Sequence, residues 1–441
     1  MTCFRSPLSI GMGLLLTPLF SCAENNILQR QDSNNALNMS SWKMPRHTKK
    51  SILDIGMQLK TESFSLDNKN LRQGEKRENE MKWGPQVRLD SWIMKGSPMY
   101  GKVELEWKRK IKRKSGEPPD KKNHLELNQA YIGLTETIIP LSHIQLGRWL
   151  YRDEREWLLD ENFDGVVARN RIEKWRIDTL GGRVNYWQRD LLDRTSRNEG
   201  TNNITGLFVR RKLTDDVAAG AYIITQSAPE KGFNRQKNIG LRSHGQKKKA
   251  LRHWLELGLA DVRRVGKNTR GYAVDAGGTY ILSKTELKPR ITLGYALGTQ
   301  YYRQTGLHDN EATFGGNTKF KFYGETLNPD LSNIQILTTG LGINLSRQAT
   351  LDVVYHDYRQ AHLMSLSQNR IDLKAKYDRE NTRRLGSGVD IIVGWEPVDN
   401  TKLEARLGMF APSKRLISSM KENSPRSDNA YSAGIEVAVS F

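Results

Sequence analysis

From Ser51 onward, apolar and polar residues alternate one by one along much of the chain. The last stretch, Ala430 to Phe441, shows the pattern most cleanly. Tyr431, Ala433, Ile435, Val437, Val439 and Phe441 share one face, and Ser432, Gly434, Glu436, Ala438 and Ser440 the other. A period of two is that of a β-strand, whose successive side chains point to opposite faces. Leu53, Ile55, Met57 and Leu59 repeat it, as do Val87, Leu89, Ser91 and Ile93 against Arg88, Asp90 and Trp92. So do Val103, Leu105 and Trp107 against Lys102, Glu104, Glu106 and Lys108. An apolar face about ten residues tall, ending in aromatics, suits a tilted strand crossing hydrocarbon, with its other face toward a wet interior. The pattern predicts an all-β fold, a transmembrane antiparallel β-barrel.

The connections have a rhythm of their own. Long polar segments fall at Thr61–Met81, Lys112–Lys121, Arg152–Glu161, Arg189–Gly200, Ser227–Arg235, Tyr302–Ser332, Ala361–Arg383 and Ala411–Asp428. Short turns fall at Lys95–Pro98, Thr137–Leu141, Ile172–Glu173, Thr214–Asp215, Gln246–Lys249, Ser283–Glu286, Arg347–Gln348 and Pro397–Asn400. Val265–Lys267 is short where a long segment is due. Long outer loops and short inner turns around about 18 strands, an even number, put both chain ends on the periplasmic side. Phase is clear at Leu255/Leu257/Leu259, Ile291/Leu293/Tyr295/Leu297, Val389/Ile391/Val393/Trp395 and Leu403/Ala405/Leu407/Met409. It is ambiguous at Ile144–Leu150, Trp175–Tyr186 and Ala218–Ile224, where a bulge or Gly181-Gly182 would shift the register. A soluble propeller is disfavoured, because no repeat of about 40–50 residues is present.

Composition leaves this picture intact. The mean hydropathy is negative, and no apolar run after the first two dozen residues reaches the ~18 needed for a membrane helix, but a barrel needs none. Met1 to Ala23 reads as a secretory signal, with Arg5 basic, Leu8–Phe20 apolar and Ser21-Cys22-Ala23 fitting cleavage after Ala23. Lipidation of Cys22 is the rival. Residues 24–50 form a polar segment and 51–441 the barrel. Both cysteines, Cys3 and Cys22, lie in the leader, which removes thiol chemistry from the mature chain. The net charge of +20 points to a polyanionic partner or an anionic lipid surface.

With the apolar face outward, the lumen receives Arg88, Lys102, Arg242, Arg252, Arg290, Lys402 and Arg406, with Asp90, Glu104, Glu256, Asp275, Asp352, Asp390 and Glu404 among them. Opposite charges on neighbouring strands neutralise each other, and a basic excess beyond that balance makes an anion path. No catalytic site, cofactor site or metal site is expected. Asp153-Glu154-Arg155-Glu156 is expected to be a solvated loop run, His356 and His362 lack a third ligand at zinc spacing, and no phosphate loop opens a helix. The basic runs Lys108-Arg109-Lys110 and Gln246–Lys249 suit lipid or polymer better than nucleic acid.

Several stretches together resemble the alginate export family of bacterial outer-membrane barrels. They are LELNQAYIGLTETIIPLSHIQLGRWLYRDEREWLLDENFDGVVARN (Leu125–Asn170), RQTGLHDNEATFGGNTKFKFYGETLNPDLSNIQ (Arg303–Gln335), VVYHDYRQ, GVDIIVGWEP and LEARLGMFAP. The terminal Phe441 is similar to the C-terminal signature of such barrels. The resemblance implies a monomeric 18-stranded barrel in the bacterial outer membrane, through which an anionic polysaccharide leaves the cell passively, and a periplasmic scaffold partner with tetratricopeptide repeats. It implies pore roles for Arg148, Lys319, Lys321 and Arg406. Glu404 stands where a second basic residue is expected. Where an alginate exporter carries a long loop before its penultimate strand, this chain has only Pro397-Val398-Asp399-Asn400. A porin for small anions is the nearest alternative, and a structural or adhesive barrel using Tyr302–Ser332 is the alternative from another class.

Overall fold

A computed structural model describes residues 51–441 apart from 72–77, 96, 136–141, 185–189, 193–201, 229–232, 248–249, 265, 283–284, 365, 367–368, 372, 374–382 and 414–427. The leader with Ala23, the polar segment 24–50 and the turn Thr137–Leu141 lie outside the described residues, as do parts of five of the expected long loops.

Twenty strands follow in order: β1 (Ser51–Asp67), β2 (Glu80–Lys95), β3 (Met99–Lys114), β4 (Asp120–Thr135), β5 (Ser142–Arg152), β6 (Asp160–Ile172), β7 (Trp175–Val184), β8 (Asn202–Lys212), β9 (Val217–Ala228), β10 (Phe233–Lys247), β11 (Leu251–Arg264), β12 (Lys267–Ile281), β13 (Arg290–Gly298), β14 (Glu311–Ala312), β15 (Phe320–Lys321), β16 (Ile334–Asn344), β17 (Ala349–Gln360), β18 (Arg384–Trp395), β19 (Thr401–Pro412) and β20 (Ala430–Ser440). Eighteen of them form one antiparallel sheet, each bonded to its neighbours in sequence; β14 and β15 make a separate two-residue pair inside a loop. β20 pairs with β1 from Gln58↔Ser440 to Asp67↔Tyr431, which closes the ring. The last residue joins that seam, the Phe441 amide donating to the Met57 carbonyl at 2.8 Å.

The alternation becomes the two faces of this wall. Leu53, Leu89, Ile132, Leu241, Leu259, Leu293, Leu341, Leu407 and Ile435 are all exposed on its outer side. Such an apolar band is out of place against water and right against lipid chains. Strands β1 to β4 run 16 or 17 residues, well past that band. The charged stretches expected as loops at Thr61–Met81 and Lys112–Lys121 are therefore strand at both their ends. Backbone pairing continues there beyond the lipid-facing band, and in β1 the apolar residues Phe64 and Leu66 change to the inner face, so the outer apolar pattern underestimates strand length.

Gly181-Gly182 causes no register shift. β6 and β7 pair without a break from Asp164↔Arg183 to Ile172↔Trp175. A Cβ on the facing Gly165 would stand 2.2 Å from the Gly181 carbonyl oxygen, so glycine lets these backbones approach closely. Register shifts occur instead beside Glu104/Leu105, Phe233/Gln236 and Tyr358/Arg359. At the first of these β4 begins to part from β5, which it follows only from Thr135 to Ala130. The free edge of β4 is capped by Asp190, whose carboxylate accepts from the Leu125 amide at 3.1 Å and from His124 Nδ1 at 2.7 Å.

Because the outer band must meet hydrocarbon, a charge there is costly. Leu293→Arg is expected to destabilise the barrel by about 2–4 kcal/mol, while Thr292→Ser on the inner face of the same strand costs much less. Denaturant titration of the protein folded into lipid vesicles, read by heat-dependent gel mobility, checks the difference.

Candidate functional site: a half-filled lumen

Two connections fold into the barrel. The first, between β5 and β6, holds a turn at Asp153–Leu159. Asp153 Oδ1 accepts from the amides of Leu158 and Leu159 at 3.0 and 2.6 Å, which ties the turn to itself. Arg155 and Glu156 lie in the left-handed region at φ 61° and 52°, a conformation kept only where the surroundings hold it. They do so here. The Arg155 guanidinium is stacked between Trp254 and Phe322, 4.3 and 4.1 Å from the ring centres, and pairs with Asp275 at 3.2 Å. Asp275 also accepts from Trp254 Nε1 and the Tyr323 hydroxyl. Arg242 donates to Asp153 and Glu154 at 2.9 and 2.8 Å and lies 3.2 Å from Glu256.

This overturns the expectation of a solvated charge run. Asp153, Glu154, Arg155 and Glu156 are all buried, and Trp157, Leu158 and Leu159 are fully so. The signal was available: three large apolar residues directly after a charge cluster do not belong in water.

The second connection, between β13 and β16, packs on the first. Gln304 Nε2 donates to the Trp157 carbonyl at 2.6 Å, and the Asp160 amide to the Leu307 carbonyl at 2.6 Å. Trp157 Nε1 donates to the Tyr323 hydroxyl at 3.0 Å. Phe314 stacks flat on Trp254 at 5.5 Å. The far wall receives the loop through Thr326–Ser432 at 2.8 Å, the Glu325 amide on Asp390 at 3.2 Å, and Tyr358, whose hydroxyl donates to the Tyr323 carbonyl. Close approach needs a bare backbone: a Cβ on Gly394 would stand 2.1 Å from Thr318 Oγ1. The loop expected at Tyr302–Ser332 thus exists, and it is an internal plug. At its junction with the first turn Glu156, Asp160 and Asp309 bring three carboxylates together. Lys319, Arg152 and Lys321 respectively already neutralise them.

The predicted pore residues divide accordingly. Arg242, Arg290, Lys321 and Asp390 lie under or within the plug and hold it. Arg290, only 2% exposed, grips Asp352 at 3.0 Å and Asn344. Arg148 does not line the pore. It shares the outer face of β5 with exposed Leu146, pairs with Asp164 through Nε at 2.7 and Nη2 at 2.8 Å, and caps the Leu127 carbonyl on the free edge of β4. The open part of the lumen runs along β19, β20, β1, β2 and β3. There Arg88, Lys102, Lys402 and Arg406 meet Asp90, Glu104 and Glu404, and Lys319 reaches in from the plug. Arg88 lies 3.3 Å from Glu104 and 3.2 Å from Glu106; Lys102 lies 3.3 Å from Asp90. Lys402 and Arg406 both contact Glu404, and Arg406 Nε donates to the Lys319 carbonyl at 3.0 Å. Lys60, missed in the sequence, extends the row by bridging to Glu436 at 2.9 Å. Side-chain exposure separates the halves, 26% at Arg88 and 25% at Lys402 against 5% at Arg242. Nine of the ten predicted cations have a carboxylate within ion-pair distance, so the path is a ladder of alternating charge; the tenth, Arg252 on the inner face of β11, has none among the described residues, and its Nε is buried without a hydrogen-bond partner.

Such a closed barrel, with a folded-in plug and a charged passage beside it, defines a channel-type protein of the outer membrane. The chain belongs to the alginate export family, whose model matches residues 51–427. None of the curated proteins compared matches it. Among solved structures, Pseudomonas aeruginosa OccK9 (OpdG) is similar at 13% identity and a TM-score of 0.57, covering 88% of this chain and 98% of that one. Acinetobacter baumannii OccAB1 is similar at 10% identity and 0.56, covering 90% and 100%. P. aeruginosa OpdQ follows at 12% and 0.54, covering 88% and 99%. At these identities the likeness is one of fold.

Trp157 ties the two connections to each other. Trp157→Ala is expected to cost about 3–5 kcal/mol of stability and to loosen the plug, so that single-channel conductance in a planar bilayer rises and becomes noisier than that of the parent.

Proposed function

We propose that the protein lets an anionic exopolysaccharide, alginate or a similar polyuronate, leave a bacterial cell passively across the outer membrane. The observation that carries this reading, beside family membership, is the charge ladder on one side of the lumen, whose cations Arg88, Lys402 and Lys60 stay part-exposed. Exposed ion pairs contribute only about 0–1 kcal/mol each. A polymer carboxylate can therefore take the place of Glu436 on Lys60, a pair part-exposed on both sides, with little change in free energy. Exchange of nearly equal partners gives weak binding at each step, which a long polyanion needs in order to move on. No chemistry is performed, and selectivity comes from charge and the shape left beside the plug. The protein acts as a monomer surrounded by outer-membrane lipid, with the short-turn end toward the periplasm, where a tetratricopeptide-repeat scaffold would deliver the polymer. Its leader, removed after Ala23, directs export.

The plug favours one second reading, a channel for small anions, because it fills much of the lumen. Planar-bilayer recording separates the two. Export of a polyuronate predicts an anion-selective current that alginate oligomers block, and Arg406→Glu combined with Lys319→Glu is expected to shift the reversal potential toward cation preference. A current indifferent to alginate would favour the small-anion channel, and unchanged selectivity in the double variant would remove both residues from the path. The absence of any current would favour a structural barrel.

A further inference from the structure

Arg169 stands apart from the ladder. It lies on β6 just before its short turn, paired in register with His143 of β5 and Asp178 of β7. It shares the inner face with buried Val167 and Phe163, while Val166 between them is exposed outward. No carboxylate lies within ion-pair distance of Arg169 among the described residues, and its Nε is shielded from solvent without a hydrogen-bond partner. The acid across the strand is taken: Asp178 is held by Arg176 through two bonds of 2.7 Å and accepts from the Tyr151 hydroxyl at 3.3 Å. Tyr151 also lies under the Arg169 guanidinium, 5.8 Å from ring centre to Cζ, and fixes its position. Arg171, Arg176 and Arg210 continue the row along the inner faces of β6 to β8, Arg171 facing Arg176 and Arg176 facing Arg210 in register.

Nearly everywhere else in the lumen the sequence supplies a carboxylate for a predicted cation; Arg252 also lacks one but has no ring stacked on it among the described residues. At Arg169 the sequence supplies a fork of donors, half-buried, on an aromatic bed and with no internal acceptor. An unmet guanidinium in a partly desolvated site binds a planar anion through paired hydrogen bonds. We propose that Arg169 is the docking point for the carboxylate of a uronic-acid residue, at the short-turn mouth of the channel. This rests on the polyuronate reading above and adds the place where the polymer is first held. A fixed guanidinium there aligns the leading sugar before it meets the exchangeable pairs of the ladder.

The test uses the full-length protein in a planar bilayer with a mannuronate hexamer added on the short-turn side. Arg169→Gln is expected to weaken block by about tenfold, the loss expected for one charge-assisted pair. Arg169→Lys keeps the charge but loses the fork. It is expected to weaken block about threefold, and it keeps the test open should Arg169→Gln fail to fold. Lys174→Gln removes a charge from the exposed turn at the same rim and is expected to leave block unchanged. Equal block in Arg169→Gln and the parent would overturn the site, as would equal weakening by Lys174→Gln, which would mean a diffuse field. Either result leaves the channel reading standing. A parent channel that the hexamer blocks from neither side would sink the polyuronate reading, and the site with it.

Discussion

The structure depends on closing a ring of backbone hydrogen bonds. Hydrocarbon offers no partner for an amide or carbonyl, so a sheet can stand in it only without edges. Here the closing bonds join the two ends of the described chain, β1 and β20, with Phe441 and Met57 completing the seam. The outer face has then only to be apolar, and single residues such as Leu293, Leu341 and Leu407 meet that demand without packing against one another. Where the ring is imperfect, beyond Ala130 on β4, polar groups are recruited to finish it. Arg148 caps Leu127 and Asp190 caps Leu125, so two charged residues serve the wall and not the passage.

The interior follows a different logic. A barrel this wide cannot be filled by its own inward side chains, and two connections supply the missing volume. They are held by a buried network in which Asp275 serves Arg155, Trp254 and Tyr323, and Arg242 serves Asp153, Glu154 and Glu256. Buried charges of this kind are costly unless each is paired, and the pairing fixes the plug against one half of the wall. What remains open is a passage beside the plug, lined by pairs whose cations, Arg88 and Lys402 among them, stay part-exposed.

The fold was legible in the sequence because lipid exposure leaves a strict period-two record. Ile435, Val437 and Val439 announce a strand whatever their neighbours do. The boundaries were less legible. β1 continues through Thr61–Asp67 because pairing outlasts the apolar band, and polar alternation leaves no contrast to read. The site was legible only in part. Alternation correctly placed Arg88, Lys102, Lys402 and Arg406 on the inner face, but no periodicity could show that Arg242 and Arg290 lie beneath a plug. That depends on contacts between residues far apart in sequence, such as Glu154 with Arg242. The motif around Arg148 suggests a pore role, but the ambiguous phase of Ile144–Leu150 leaves its face open, and across the β5–β6 pair it meets Asp164.

The division of the lumen into a packed half and a wet half has a consequence for how such a channel can diverge. Changes beneath the plug, at Asp275, Arg242 or Gly394, strike buried networks or tight contacts and are felt as loss of folding. Changes at the part-exposed pairs of the passage, such as Lys60 with Glu436, alter stability little. Descendants of one ancestral barrel can therefore drift freely in cargo preference along one arc of the wall while the other arc keeps them foldable.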